Sequence, residues 1–312
     1  MLRTRLNDIL GTEYPIIQGA MAHISDGAFA AVVSEAGGLG MIASAARDVD
    51  YVREQVHAAR ALTKKPFGVN VMLANPATPE IMRLLLDEGV QIVATGAGSP
   101  APYVKDLLAN GAKVIPVIPH VRAARKMEDL GVSAIVAEGT ESGGHVGDVN
   151  TITLLPAVTE AVSIPVIAAG GFVDGRGFLA ALAMGACGVQ MGTRFLASEE
   201  CPVSQAYKDA VLQANERATV ITGLGTKDPV RGLRNELTDK HFALRASGVS
   251  QEEWMAPLIG SLRRAVEGDI VTGSMQVGTS CALIHQIQPV RRIMEDVMAE
   301  AEAALAQLNA LG

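Results

Sequence analysis

Short apolar runs bounded by turn residues recur along the first two thirds of the chain. They read "PIIQG" (15–19), "LGMIAS" (39–44), "FGVNVML" (67–73), "IVATGAG" (92–98), "VIPVIP" (114–119), "AIVAEG" (134–139), "VIAAGG" (166–171) and "VQMGTRF" (189–195). Runs that are apolar at successive positions suit parallel strands buried on both faces. Charged, Ala/Leu-rich stretches lie between them. In 80–89, "EIMRLLLDEG", Ile81, Leu84 and Leu85 fall at i, i+3 and i+4, with polar Glu88 at i+7, the spacing of an amphipathic helix. Eight strands alternating with helices predict an α/β fold, a (β/α)8 TIM barrel. A doubly wound sheet ranks second. Its GxGxxG fingerprint is missing where the first run ends, "QGAMAH".

The alternation stops after Phe195. Residues 204–275 read as helices: "SQAYKDAVLQANE", "VRGLRNELTDKHFALRAS" and "SQEEWMAPLIGSLRRAVEG". A smaller helical inserted domain is therefore expected over 204–275, acting as a substrate lid on a barrel built from 1–203 and 276–312. The closing stretch, "VRRIMEDVMAEAEAALAQLNALG", reads as the last outer helix of that barrel.

Composition narrows the function. Hydrophobic residues make up 49% of the 312, charged residues 19% and aromatics 4%, and the formal net charge is -7. A sizeable core is available and disorder is not expected. Without basic blocks or stacking aromatics, no nucleic-acid partner is expected. Cys187, Cys201 and Cys281 are odd in number and lack CxxC spacing. This argues against a disulfide framework or structural zinc and fits a reducing cytoplasm. The start, "MLRTRLNDILG", lacks a signal-peptide core. The uncharged run before Arg194, 177–193, holds four glycines and reads better as a helix followed by a strand than as a membrane span. Histidine spacing suggests no metal site.

Candidate chemistry gathers at the carboxyl ends of the strands, the active face of such barrels. Gly170 and Gly171 follow the seventh run, after Ala169. Gly192 and Thr193 lie in the eighth. Together they offer backbone N–H groups and a hydroxyl at the corner where barrels hold phosphate; two tight turns would use the same glycines. Gly19 and Ala20 let a flat ligand lie against the backbone, and Met21 adds a polarisable face. Asn70 is a polar residue in an apolar strand and needs a partner, as does Glu138 at the end of the sixth run. The loop "EGTESGGHVG" (138–147) adds Gly143, Gly144 and a lone histidine, His145, able to titrate near neutral pH. A flat ring with one phosphate tail fits this set; flavin mononucleotide (FMN) or a phosphorylated substrate would serve. Purine-nucleotide dehydrogenases share the "GG" turn but need a cysteine nucleophile after the sixth strand, and this loop has none. Of the other histidines, His57 and His241 read as surface residues. His120 is placed at the cleft mouth, His23 as a substrate contact and His285 as a core residue.

These motifs resemble the FMN-dependent enoyl-acyl-carrier-protein reductase II family, part of the nitronate monooxygenase-like flavoproteins. The stretches that carry the resemblance are "EYPIIQGAMA", "KPFGVNVML", "IVATGAGSP", "AEGTESGGHVG", "IPVIAAGGFVDG" and "QMGTRF", spread over nearly the whole length. "AGGH" and "AAGG" are shared with nitronate monooxygenases, whereas the "AEG" of Glu138 looks more like the reductase branch. The resemblance implies a homodimeric cytoplasmic enzyme of bacterial fatty-acid synthesis. Such an enzyme binds FMN, takes hydride from NADH or NADPH and reduces a trans-2-enoyl thioester on acyl-carrier protein or CoA. Some members need a monovalent cation, whose ligands the motifs do not place. The chain departs from the family at Ser142, where alanine is usual, and at Gly278-Thr279, where many members carry Gly-Gln; Gln276 is a substitute to consider. In this reading His145 donates to the thioester oxygen or supplies the proton for C2, and Gly143 and Gly144 help place the flavin. Three alternatives stay open: a nitronate monooxygenase, an NAD(P)H:quinone reductase on the same scaffold, and a non-catalytic phosphate-ligand barrel.

Overall fold

The computed structural model describes residues 2–311. Eight parallel strands form the barrel: β1 (Ile16–Gln18), β2 (Gly40–Ala43), β3 (Phe67–Met72), β4 (Ile92–Gly96), β5 (Lys113–Ile118), β6 (Ile135–Glu138), β8 (Val166–Ala169) and β9 (Val189–Met191). Their order in the sheet is β1-β9-β8-β6-β5-β4-β3-β2. The ring closes between β1 and β2 through the Ile17–Leu39 bridge, with the N–H of Gln18 donating to Leu39 O at 2.9 Å. The expected TIM barrel is therefore observed. One boundary differs from expectation. The last barrel strand stops at Met191, and Thr193–Leu196 is a single helical turn, so "TRF" lies outside the strand.

Two apolar layers follow from burial on both faces. Ile17, Leu39, Met41, Ile92, Ile115, Val136 and Ile167 fill the interior, where the helix Arg5–Leu10 adds Leu6 and Leu10. A larger layer packs the outer strand faces against the surrounding helices. The helix Val290–Asn309 packs against Gly175–Ala183 and Gly27–Glu35, as the outer helix the sequence predicts. Among the described residues no helix is long and apolar enough to cross a membrane.

The segment 204–275 holds none of the eight barrel strands, but it is not purely helical. β10 (Thr219–Thr222) and β11 (Val230–Leu233) form an antiparallel hairpin. β11 also pairs with β7 (Gly144–His145), giving a three-stranded sheet. The expectation of helix over "VRGL" is corrected here. "TVIT" is β-branched throughout, favouring a strand. "GLGTKDP" supplies the turn, with Gly223 and Gly225 at positive φ.

Candidate active site

The strand ends open into a cleft with two connected parts. The larger has a volume of about 650 Å³, within the range of small-molecule sites. The smaller lies at the β8–β9 end. Ala20, Met21, Glu138, Gly143, Gln190 and Gln276 wall both, so the site is continuous.

Every candidate flavin-contact residue and His145 line this cleft, whereas His23 and His120, expected at a substrate contact and at the mouth, are not among its lining residues. Gly19, Ala169, Gly170, Gly171, Gly192 and Thr193 surround the smaller part. Asn70, Gly144 and His145 surround the larger. Ala20, Met21, Glu138 and Gly143 stand between them. The first loop is ordered by Gln18, fully buried beneath it. Its Oε1 accepts the Met41 N–H at 3.0 Å and its Nε2 donates to Ser25 Oγ at 2.8 Å. Ser25 Oγ in turn accepts the Met21 N–H at 2.9 Å. One buried amide thus ties the 19–25 turn to the sheet.

At the β8–β9 corner, Gly170 and Gly171 have φ of +86° and +93°, a region open chiefly to glycine. Gly192 has ordinary φ, -106°, and a Cβ placed there would meet nothing within 4 Å. That open space belongs to the cleft. The Thr193 hydroxyl oxygen accepts the Gly278 N–H at 3.0 Å, which leaves its proton to donate.

The glycine-rich loop is shaped first by packing. A Cβ on Gly143 would sit 2.7 Å from Gly278 N and 2.8 Å from Val277 Cα, so two backbones cross where only glycine fits. Glu141 was not foreseen. Its carboxylate accepts the Thr151 N–H at 2.9 Å and the Thr151 hydroxyl at 2.7 Å, anchoring the loop on the first residue of the helix Thr151–Ala161. Arg231 of β11 donates from Nε to Thr140 O at 2.9 Å. His145 is half-exposed at the cleft wall, its Nε2 3.9 Å from Asp228 Oδ1.

Two polar groups inside the cleft lack full partners. Asn70 Oδ1 is buried and accepts no hydrogen bond, a costly state unless a ligand supplies a donor. Burial pushes the Glu138 carboxyl up to about 7, with the nearby Ser142 hydroxyl opposing the shift, although Ser142 Oγ makes no hydrogen bond of full geometry. Gln190, Phe172, Gln276 and Ser280 also line the site. They fall in runs that periodicity reads as strand or loop, and of the four the sequence motifs point only to Gln276.

The remaining histidines separate. His57 is exposed beside Glu88 at 2.9 Å. His120 caps the helix Val121–Asp129, its Nδ1 accepting the Ala123 N–H at 3.0 Å. His241 is fully buried, contrary to expectation. It accepts the Gly223 N–H at 3.3 Å and lies against Trp254, because the hairpin turn covers it. His285 is exposed rather than core, since it sits past the short 3-10 turn Thr279–Leu283. His23 is half-buried at φ 63° on the β1 loop.

Comparison with known proteins places this site in context. A nitronate monooxygenase family model matches residues 3–84 and 79–300. The structure of FabK from Thermotoga maritima matches at TM-score 0.96 and 44% identity, covering all of both chains. A nitroalkane oxidase from Streptomyces ansochromogenes matches at TM-score 0.84 and 29% identity, covering 97% of this chain and 99% of that one. In sequence, the chain is 40% identical over 242 residues to (3aS,4S,5R,7aS)-5-hydroxy-7a-methyl-1-oxo-octahydro-1H-indene-4-carboxyl-CoA dehydrogenase of Mycobacterium tuberculosis, covering 77% of this chain and 68% of that protein. It is 33% identical to a probable nitronate monooxygenase of Staphylococcus saprophyticus, covering 77% of this chain and 81% of that protein. With its barrel, glycine corner and histidine loop in one cleft, the chain belongs to the nitronate monooxygenase family of flavin-dependent oxidoreductases.

Proposed function

We propose that this protein is an FMN-dependent enoyl-thioester reductase, using NADH or NADPH to reduce a trans-2-enoyl group carried on acyl-carrier protein or CoA. The observation that carries the reading is the likeness to FabK, 44% identical over the full length of both chains. The Mycobacterium tuberculosis relative supports a thioester substrate, since that enzyme is named for a carboxyl-CoA compound. A homodimer in a reducing cytoplasm goes with this reading, and the three cysteines are free and buried.

The residues present fit FMN. Asn70 offers an unused acceptor to a ring N–H. Gly171, Gly192 and Thr193 supply N–H groups and a hydroxyl for the phosphate, around the space a Gly192 side chain would fill. When bound, FMN supplies the hydride relay between the nicotinamide and C3 of the enoyl group. His145 then serves the substrate. It donates a hydrogen bond to the thioester oxygen, where negative charge develops, or delivers the proton that C2 needs. Its Nε2 lies 3.9 Å from Asp228 Oδ1. A substrate entering the larger part of the cleft covers the half-exposed ring and strengthens a hydrogen bond made there.

A nitronate monooxygenase is the second reading, favoured by the family match and by the Staphylococcus relative. An anaerobic experiment separates the two. The flavin is reduced with NAD(P)H, and crotonyl thioester, a nitronate or a quinone is then added alone. Rapid reoxidation by the crotonyl thioester is expected. Reoxidation only by quinone overturns the reading, as does failure of the thioester to reoxidise the flavin when a separate aerobic assay of the oxidised protein releases nitrite from the nitronate.

A further inference from the structure

We infer that Arg47 and His23 hold a phosphate group of the incoming substrate at the rim of the cleft. The inference rests on the reductase reading, whose substrates, a carrier-bound thioester and a nicotinamide dinucleotide, all bear phosphate. The site is distinct from the β8–β9 corner. Arg47 follows β2 and His23 follows β1, and neither lines the smaller part of the cleft. Neither lines the larger part itself, but Ala22, next to His23, and Ala45, two residues before Arg47, do, which places the two loops at its rim.

Arg47 is held ready and lacks an anionic partner. Its guanidinium carbon lies 4.3 Å from the centre of the Tyr51 ring. Its Nε is buried with no hydrogen-bond partner, and among the described residues no carboxylate pairs with it. The nearby acids are engaged elsewhere. Asp26 Oδ1 caps the Phe29 N–H at 2.8 Å, Asp48 caps the Tyr51 N–H at 2.8 Å, and Glu267 pairs with Arg263 at 2.8 Å. The loop is fixed by Asn75, whose Nδ2 donates to Ser44 O at 3.1 Å and Arg47 O at 2.8 Å. A planar guanidinium stacked on an aromatic ring is a preorganised fork for phosphate.

Further cations stand near this entrance, alongside the acids Glu267 and Asp228. Burial lowers the His23 pKa, and the charges of Arg47 and Arg263 lower it further. Lys227 lines the cleft as well. His23, Ala46 and Ala97 are the described non-glycine residues with positive φ. All three stand on loops after β1, β2 and β4 around this entrance, and strained backbone of this kind concentrates at ligand sites. Phosphate is the chemistry that answers an unpaired arginine beside a half-buried histidine: it accepts from both and draws a proton onto the imidazole.

The test uses FMN-loaded Arg47→Gln, with Arg47→Lys and Tyr51→Leu as variants that keep the charge or remove the shelf. Crotonyl-CoA is compared with crotonyl-pantetheine, which lacks phosphate. If the carrier supplies the phosphate, the ratio of their kcat/KM values falls about tenfold or more in Arg47→Gln and less in Arg47→Lys. If the dinucleotide supplies it, that ratio holds and the dissociation constant for NADH or NADPH in the reductive half-reaction rises by a similar factor. Unchanged ratio and unchanged dinucleotide affinity, within about twofold, in a folded, flavin-replete variant overturn the site. Should wild-type protein reduce neither thioester, the reductase reading fails by itself. Equilibrium binding of CoA and of NADH to wild type and Arg47→Gln then decides the phosphate site alone: weaker binding supports it and equal binding overturns it.

Discussion

The β8–β9 corner and the histidine loop stand at two places in one cleft and are held in different ways. The corner is made by turns of the barrel itself, continuous with fully paired strands. His145 rides on a strand only two residues long, joined to a hairpin of the inserted segment. The first arrangement suits a group that stays. The second suits a side chain that meets each substrate in turn, since sites placed on loops over a rigid scaffold adapt most readily.

The sharpest way to break this contrast is at Gly192. Because its φ is ordinary and its missing side chain would point into open space, Gly192→Asp adds charge at the proposed phosphate position without backbone strain. FMN affinity is expected to fall by about 10²–10³-fold, read by flavin absorbance after gel filtration. Fully yellow protein would remove the phosphate corner. Gly171→Asp is a poorer probe, because its φ of +93° strains any side chain.

On the other side, His145→Ala should leave FMN loading and reduction by NAD(P)H intact. Reoxidation by an enoyl thioester should slow by roughly 10²–10⁴. Stopped-flow absorbance, run on each half-reaction separately, checks this. Equal slowing of both halves would mean that the nicotinamide touches the same ring.

A smaller effect is expected at Asn70, which faces the larger part of the cleft from the barrel wall. Asn70→Ala should weaken FMN by about tenfold, measured by equilibrium titration of apoprotein. Unchanged affinity would show that a different group satisfies the buried amide.

The last prediction concerns Glu138, between the two regions, and is read as stability rather than activity. Its folded pKa, about 7, lies above the ordinary 4.5. Its contribution to stability is therefore fully present below the ordinary value and is lost as pH rises through about 7. Apoprotein should lose about 1–3 kcal/mol between pH 5 and 8 from this group, and Glu138→Gln should flatten that part of the profile in urea unfolding. An unchanged slope would mean that water or an ion compensates the carboxylate.

The barrel was legible because parallel strands buried on both faces leave continuous apolar runs, and because glycine marks their carboxyl ends. Gly170, Gly171 and Gly192 could be placed from that alone. The hairpin was not seen, since "TVIT" and "VRGL" are short and lie among helical stretches; the β-branched run before "GLGTKDP" was the available signal. Glu141 was missed because a carboxylate reaching ten residues ahead to Thr151 leaves no periodic trace. His241 was read as a surface residue from its charged neighbours, whereas what buries it arrives from Gly223 and Trp254. Gly143 was read as a flavin contact. The cleft does expose it, yet the crossing of Val277 and Gly278 already requires glycine there.

The two-residue pairing of Gly144 and His145 with Val230 and Arg231 also sets how the protein can fail. An excursion in which the hairpin melts while the barrel stays folded gives up the four β10–β11 pairs and the two with β7 but no barrel pairing, and such sub-global openings are common. The histidine would be carried away with the hairpin, while the barrel turns kept their shape. Amide exchange in 219–233 should then run ahead of exchange in 166–191, and thermal inactivation should precede loss of colour. Grafting a different hairpin onto this barrel would be a route to new substrates that leaves the pigment in place.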